Sequence, residues 1–544
     1  MVVEQITYRN ISPGTRKMIM FGLCLGMLGA CFDGTIVGTC GPIIAKDLNG
    51  SGLYTWMVTA YLLCECVMIP IAGKLSDLYG RKPLFLLGIG LFAFGSILAG
   101  VSTNMPMMCI CRGIQGIGGG IIIPVATAAI ADLYSPTVRA KMQGMLGAIF
   151  GVGTGIGPII GGWITENIDW HWCFYINVPL AAISIICTVK KFPAPEIIAK
   201  PVIDYRGIVV LAALLMDFVL IFECGGNEFQ WTDPIAFVMY ALLIALIFVF
   251  IKIEKRAPEP VMSPKLLKNK TIVAGCIYMM LFGIGMMGAM TFASYFGIYV
   301  LFKMDTLTAS YYSLFMVAGM LITSMISGSM CERTGYRPWL IVGPALAFVG
   351  LYVLSTMSID GITPLTAPVS PYYEVLGIPL NKYCIGTFIL GFGLGCMATP
   401  IMAAVQNSSK PADIGMNTGA VNLFRSIGTS IGTALFTMLI NAHYAGDVSG
   451  IAGVSDKATE FVSSVIGYLY TGFPDVANKI MGAFIDSVEF GFLAGGIIIL
   501  LAAFVGFFIK ARNAAAAEAE QDAEYEARLN SEGADSESSE LNTE

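Results

Sequence analysis

Long apolar blocks alternate with short polar ones along nearly the whole chain, at a repeat of about 20 residues that matches the length an α-helix needs to cross the hydrocarbon of a bilayer. Backbone amides and carbonyls in lipid must be satisfied within the segment, so runs of this length read as helices and not as barrel strands. The pattern predicts fourteen spans, over approximately 18–42, 54–71, 84–101, 105–130, 142–164, 172–189, 207–224, 234–251, 272–301, 311–330, 339–357, 383–405, 414–440 and 484–509. The ninth is long enough to tilt. The first, with Arg9, Arg16 and Lys17 before it, is too long for a signal core and reads as an anchor.

Composition agrees with the pattern. Over 544 residues 56% are hydrophobic and only 12% are charged, which excludes an ordinary soluble protein. The basic residues then test the number of spans, because an odd error would reverse the sidedness of every later loop. With the N-terminus inside, 24 of the 31 lysines and arginines fall on the cytoplasmic side, five fall outside, and Arg112 and Arg425 fall within spans. The expectation is a multi-pass protein of the cell membrane with both termini cytoplasmic. The net charge of −6 comes from residues 512–544, where ten acids face two arginines. That tail has too little apolar content for a core and reads as a solvated, disordered segment, with at most a helical start.

A repeat organises the spans. GKLSDLYGRKP (73–83) follows span 2 and GSMCERTGYRP (328–338) follows span 10, matching at Gly, acid, Gly, base and Pro in one register. Spans 9–14 thus read as a second copy of spans 1–6, with spans 7 and 8 inserted. The predicted domains are a cytoplasmic N-terminus (1–17), an N-terminal six-helix bundle (18–190), two inserted helices with basic linkers (191–270), a C-terminal six-helix bundle (271–510) and the acidic tail (511–544).

Charge inside the spans supplies the candidate chemistry, since an ionisable group at that depth is costly and marks a functional site by default. Asp33, Glu65 and Arg112 fall in the first copy, and one aqueous cavity shared by all three would let a proton and a cationic substrate compete for a carboxylate. Asp33 is the expected proton-coupling acid, Glu65 a substrate-charge or second proton site, and Arg112 a tuning or relay group. In the repeated loop, Gly73, Asp77, Gly80, Arg81 and Lys82, with Glu332 and Arg337 of the second copy, read as a conformational latch: glycines allow a tight turn where acid and bases pair in one state and part in another. In span 5, Gly153, Gly157, Gly161 and Gly162 permit close helix approach and Pro158 removes a backbone hydrogen bond, giving a hinge or a tight seam. Asp217 and Glu223 of span 7 read as lipid-depth carboxyls outside the transport core. The methionines and aromatic residues of span 9 read mainly as packing, a minority of them as an adaptable apolar pocket.

These residues resemble the fourteen-span drug:proton antiporter branch of the major facilitator superfamily, from Phe32 to about residue 440. The resemblance rests on Gly73, Asp77, Gly80, Arg81 and Lys82, on Arg112 with Gln115-Gly116, on Gly153-x-x-x-Gly157-Pro158-x-x-Gly161-Gly162, on Asp33-Gly34-Thr35-Ile36-Val37…Pro42, on Trp170-His171-Trp172…Asn177-Val178-Pro179 and on Asp204-x-x-Gly207. Arg425, in NLFRSIGTSIGTAL, matches the family's span-13 pattern and is expected to be structural or latch-related. Gly38, Cys40-Gly41-Pro42, His171 and Leu78-Tyr79 depart from the family pattern, which bears on the substrate more than on the fold. The resemblance implies an all-α integral membrane protein of the major facilitator fold and a proton-coupled antiporter exporting hydrophobic, cationic small molecules by alternating access. Export of an endogenous metabolite (an amino acid, peptide or siderophore-like compound) is the alternative within transport, and a sensor that binds without transporting is the alternative outside it.

No hydrolase triad or metal cluster stands out, the Gly116–Gly120 run lies inside a span without a preceding strand or a lysine, and the chain has only two histidines, His171 and His443. The expectation is therefore no enzyme, no cofactor beyond protons as the coupling ion, no metal and no nucleic-acid partner, with the lipid bilayer, protons and a small-molecule substrate as partners and the oligomeric state left open. The fourteen cysteines are scattered singly within apolar runs and read as small hydrophobes.

Overall fold

A computed structural model of the chain describes residues 11–192, 202–226, 228–263, 266, 268–296, 306–357, 373–375, 378–380, 382–451, 454–455, 457–458, 474–510 and 514–523. It has 14 helices long and apolar enough to cross a membrane. These are α1 (Pro13–Asp47), α2 (Tyr54–Tyr79), α3 (Arg81–Gly100), α4 (Met105–Leu133), α5 (Pro136–Asn167), α6 (Trp172–Val189) and α7 (Tyr205–Cys224). They continue as α8 (Pro234–Glu254), α9 (Lys270–Tyr295), α10 (Thr306–Thr334), α11 (Arg337–Ser355), α12 (Lys382–Asn407), α13 (Ile414–Val448) and α14 (Pro474–Phe508).

Local sequence sets the starts. Ser12 accepts the Thr15 amide with Pro13 opening α1, Asn104 accepts the Met107 amide ahead of Pro106 in α4, and Asp204 accepts the Gly207 amide at the head of α7. Each supplies an acceptor to a first-turn N–H that has no partner within the helix. The repeated loop turns at matched glycines, Gly80 with φ +87° and Gly335 with φ +77°, a backbone region that a Cβ disfavours.

Packing follows the repeat. In the first half α1 packs on α5 and α6, α2 on α4, and α3 on α4 and α6; in the second, α9 packs on α13 and α14, α10 on α12, and α11 on α12 and α14. The inserted α7 and α8 pack on each other, and α7 rests on α2 and α13. Of the 21 residues of α8 only Ala236 and Glu254 are buried, so this helix gives nearly its whole circumference to lipid.

An even number of crossings returns the chain to the face it left, and the Thr271 hydroxyl at the start of α9 donates to the Lys510 carbonyl after α14 on that same face. This is the termini face; the opposite one is the far face. Lipid tails are as apolar as leucine and give no hydrophobic drive between helices, so close approach at small residues does the joining. A Cβ on Gly73 of α2 would lie 2.6 Å from the Gly415 carbonyl of α13, and one on Gly328 of α10 would lie 2.6 Å from the Ala140 carbonyl of α5. These two seams, α2 with α13 and α5 with α10, hold the halves together.

The structure departs from the sequence reading at two places. Helix α14 begins at Pro474, well before the hydropathy boundary at 484, because its first turns are amphipathic. A two-stranded antiparallel ribbon, β1 (Tyr373–Val375) with β2 (Ile378–Leu380), lies in the far-face connection before α12. The acidic tail has the helical start that its sequence allowed: residues 514–523 form a helix with Ala514 and Ala517 buried on one side, and Gln521, one turn on, accepts a hydrogen bond from Arg139 of α5. The rest of the tail, and the end of predicted span 9 beyond residue 296, lie outside the described residues.

Candidate transport cavity and latch

Asp33, near the middle of α1, is buried, and so is Arg112 on α4. Arg112 Nη1 pairs with Asp33 Oδ2 and also donates to Gln115 Oε1 at 2.7 Å. Gln115 Nε2 donates to Asp33 Oδ1 at 2.6 Å and lies 2.8 Å from the Ser96 hydroxyl of α3, while Asn177 Nδ2 of α6 reaches Asp33 Oδ1 at 3.3 Å. The guanidinium lies 4.3 Å from the centre of the Tyr61 ring of α2. Both carboxylate oxygens are therefore occupied, and the network ties α1, α3, α4 and α6 into one bundle. These bonds offset much of the cost of burying the pair, although Arg112 Nε is buried without a partner among the described residues. The i, i+3 spacing of Arg112 and Gln115 puts both on one helix face, a signal present in the sequence; that Ser96 and Asn177 complete the site was not legible.

The cavity lies elsewhere, between the halves. It has a volume of about 70 Å³ and takes its walls from α1, α4 and α5 of the first half and α9, α10, α12 and α13 of the second. Met27, Met279, Met320 and Met402 with Phe150 and Phe282 make most of the surface, and Thr127, Gln143, Thr399 and Asn422 add polar groups. The Thr399 hydroxyl is buried without a partner. Arg425 is the one charged residue on this wall. Its guanidinium stands 5.2 Å from the centre of the Phe150 ring in the opposite half, a cation–π contact across the interface. The sequence reading of Arg425 as structural or latch-related missed this placement, because the direction a side chain faces depends on which helices meet.

Asp33, Glu65 and Arg112 do not share one aqueous cavity. Asp33 and Arg112 are sealed inside the first bundle, whereas Glu65 on α2 is half-buried, accepts no hydrogen bond among the described residues, and lies within electrostatic range of Arg425, Asp33 and Arg112. Asp217 of α7 is buried with its Oδ2 unpartnered, and Glu223 approaches the Ser430 hydroxyl of α13. The inserted helix thus brings an acid to the α2–α13 seam, against the expectation that both span-7 carboxyls lie apart from the core.

The first-copy loop joins the halves. Asp77 Oδ1 accepts the Gly415 amide at 2.8 Å and Oδ2 the Met416 amide at 2.7 Å, which places a carboxylate on the N-terminus of α13 where the helix dipole favours it. Arg81 holds this acid from behind at 2.7 Å and also binds Asp132 at the end of α4 at 3.0 Å. Lys82 is half-buried and makes no ion pair among the described residues. The second copy does not act in the same way. Glu332 is exposed and makes no ion pair among the described residues, and Arg337 donates to the Phe507 carbonyl of α14 and stacks on the Phe507 ring within its own half. The register aligns Arg81 with Tyr336, whose hydroxyl lies 2.7 Å from Asn407 Nδ2, so the second site has lost the base that organises the first.

Further bonds close the termini face. Arg139 Nη1 donates to Asn407 Oδ1 at 3.1 Å, Gln143 Nε2 to Gln406 Oε1 at 2.9 Å, and Gln406 Nε2 to the Thr127 carbonyl at 2.9 Å. In span 5, Gly153, Gly157 and Gly161 pack on Cys31, Thr35 and Thr39 of α1, making a seam inside the first half. Gly162 faces open space and lies off this seam, and α5 runs on through Pro158.

Comparison with known proteins agrees with this architecture. The chain is 31% identical over 539 residues to multidrug transporter protein MdtP of Bacillus subtilis (strain 168), covering 94% of this chain and 96% of that protein. It is also 31% identical to multidrug resistance protein 3 of the same strain, covering 92% of this chain and 97% of the relative. The fold superposes with a TM-score of 0.58 on the human organic anion transporter MFSD10 at 14% identity, over 91% of this chain and 100% of that one. The proton:xylose symporter XylE gives the same TM-score at 13% identity, over 92% and 97% of the two chains. The model of the Major Facilitator Superfamily matches residues 23–433. With its two six-helix halves, its inserted pair and its cavity between the halves, this chain belongs to the major facilitator superfamily of membrane transporters.

Proposed function

We propose that this protein is a proton-coupled exporter of hydrophobic, cationic small molecules, working by alternating access between its two halves. The observation that carries the reading is the cavity between the halves, walled by thioethers and rings from both sides and closed at the termini face by Asp77 on the α13 amides. Methionine and aromatic walls repack around ligands of different shape, which suits a poorly specified lipophilic cargo. Two relatives covering nearly the whole chain bear multidrug names. A drug-sized ligand needs about 300–1,000 Å³, so a cavity of about 70 Å³ is too small for such cargo and loading requires the halves to move.

The excess of basic residues on the termini face supports a cytoplasmic placement of that face. The present state is then closed to the cytoplasm, and release occurs at the far face. The proton site is Glu65 rather than Asp33. Protonating Asp33 means breaking a buried pair in which both carboxylate oxygens accept hydrogen bonds, whereas the Glu65 carboxylate has no donor to lose among the described residues. Asp33 and Arg112 fix the shape and field of the first half. Each proton entering down the potential supplies about 2.3 kcal/mol per 100 mV, enough to drive appreciable accumulation outside.

Purified protein in sealed liposomes tests this. An imposed pH gradient should drive movement of tetraphenylphosphonium, with protons moving the opposite way as read by a trapped pH dye. Cargo flux without counter-movement of protons would replace antiport with facilitated diffusion, and binding without flux would make the protein a sensor.

A further inference from the structure

Arg425 and Glu65 are two charges at lipid depth, from opposite halves, and among the described residues neither has an ion-pair partner within contact distance. They belong to α13 and α2, the helices of one cross-half seam. That seam is tight at its termini end, where a Cβ on Gly73 would lie 3.0 Å from the Gly419 Cα, and it continues through Cys66, Val67 and Ile69 against Leu423 toward the level of the two charges. Arg425 faces the cavity and rests on the Phe150 ring. An aromatic face holds a guanidinium without fixing it by hydrogen bonds, so the group is free to swing.

We infer that Arg425 is the lock on Glu65: when the acid holds neither proton nor cargo, the arginine pairs with it across the two halves, and the empty carrier does not cross between states. The inference rests on the proton-coupled reading above and names how leak is prevented there. A leak needs a carrier that enters with a proton and returns with nothing, and a pair that bridges the halves whenever Glu65 is bare blocks that return. The lock also sets selectivity. A cationic cargo or a proton takes the place of Arg425 at Glu65 and frees the halves, whereas an anionic cargo would be drawn to Arg425 and would favour protonation of Glu65, coupling in the wrong direction for antiport. The groups around Glu65 that share its field are Arg425 on α13, Asp33 and Cys31 on α1, Arg112 on α4, and Tyr61 and Cys66 on its own helix, with Glu223 of α7 beside Cys66.

The experiment uses the full chain in sealed liposomes and compares wild type with Arg425→Gln, Arg425→Lys, Glu65→Gln and the Arg425→Gln/Glu65→Gln double variant. The expected result for Arg425→Gln is gradient-driven accumulation of tetraphenylphosphonium reduced tenfold or more and a faster cargo-free proton leak. Lys at 425 should restore most of the coupling, and the double variant should leak no more than Glu65→Gln alone. If Arg425→Gln misfolds, the Lys variant and the leak through Glu65→Gln still decide, because a merely structural arginine predicts no rescue of coupling by Lys. Unchanged accumulation and leak in Arg425→Gln overturns the inference. So does loss of tetraphenylborate binding with cation coupling intact, which would make Arg425 an anion receptor. A wild type that moves cargo without protons fails the parent reading before any variant is compared.

A different observation carries a second inference. The helix over 514–523 seats Ala514 and Ala517 against the termini face, its Gln521 takes Arg139 Nη2 at 3.2 Å, and Glu518 and Lys141 both lie within electrostatic range of Glu332. The same Arg139 bonds Asn407 of the other half. We propose that this tail helix is a clamp at the second-copy site, where Glu332 does not form the latch that Asp77 forms in the first. Chain ending at residue 510, and Gln521→Ala with Ala517→Glu in the full chain, should both speed amide exchange at the start of α5 and the end of α12 while leaving the far-face ends unchanged. Exchange at those segments equal to wild type in either variant rejects the clamp.

Discussion

Asp77 of the first half accepts the amide of Met416 in the second at 2.7 Å, so a single carboxylate serves both as the end of α2 and as the N-terminal cap of α13. Cap and interface are one contact. The state closed at the termini face is thereby linked to the order of the first turn of α13, and the halves cannot part there without leaving amides of that turn unpartnered.

Asp77→Asn should weaken this closure. An amide side chain can accept one of the two backbone N–H groups, but its own N–H₂ then opposes the other and opposes Arg81. Hydrogen bonds to charged groups contribute about 1.5–3 kcal/mol, so the closed population should fall by about tenfold or more. Amide exchange over the first turn of α13 measures it, and exchange as slow as in wild type would remove the latch role.

Gly73→Val should block closure sterically. The added Cβ would lie 2.6 Å from the Gly415 carbonyl and 3.0 Å from the Gly419 Cα, both backbone atoms that have no rotamer to yield. Overpacking of this kind costs about 1–3 kcal/mol, and here the cost falls on one state because the halves keep their own cores. The variant should be folded, open at the termini face and inactive in gradient-driven flux. Normal flux would show that the seam relaxes easily.

Asp33→Asn and Glu65→Gln should separate in stability. The first leaves Arg112 buried beside a neutral group, a loss of about 3–5 kcal/mol. The second removes no hydrogen bond among the described residues and should stay within about 0.5 kcal/mol of wild type. Thermal unfolding in detergent should rank wild type and Glu65→Gln together, well above Asp33→Asn. Equal Tm values for the two variants would contradict the assignment of a structural pair and a free acid.

Asp217→Leu should be tolerated or stabilising. The Asp217 Oδ2 is buried with no partner among the described residues, and an unsatisfied buried polar group costs about 1–3 kcal/mol. An apolar residue of similar size relieves that cost where α7 meets its neighbours. A raised or unchanged Tm with full transport is expected; a loss of transport at unchanged Tm would bring this carboxyl into the mechanism.

The number of spans and the repeated loop were legible in the chain, because the bilayer imposes on each segment a length and an apolarity that are local properties. The i, i+3 partnership of Arg112 with Gln115 was legible for the same reason, since one helix fixes it. Which helices meet, and at what rotation, is not a local property. Only the packed bundle could seal Asp33 away with Arg112, Gln115 and Asn177 while leaving Glu65 without a hydrogen bond among the described residues, and only it could turn Arg425 toward Phe150 across the interface. The two copies of the loop read alike, yet one caps a helix of the opposite half and the other does not. A matching motif sets the turn, but the partner presented by the facing half decides what the turn holds.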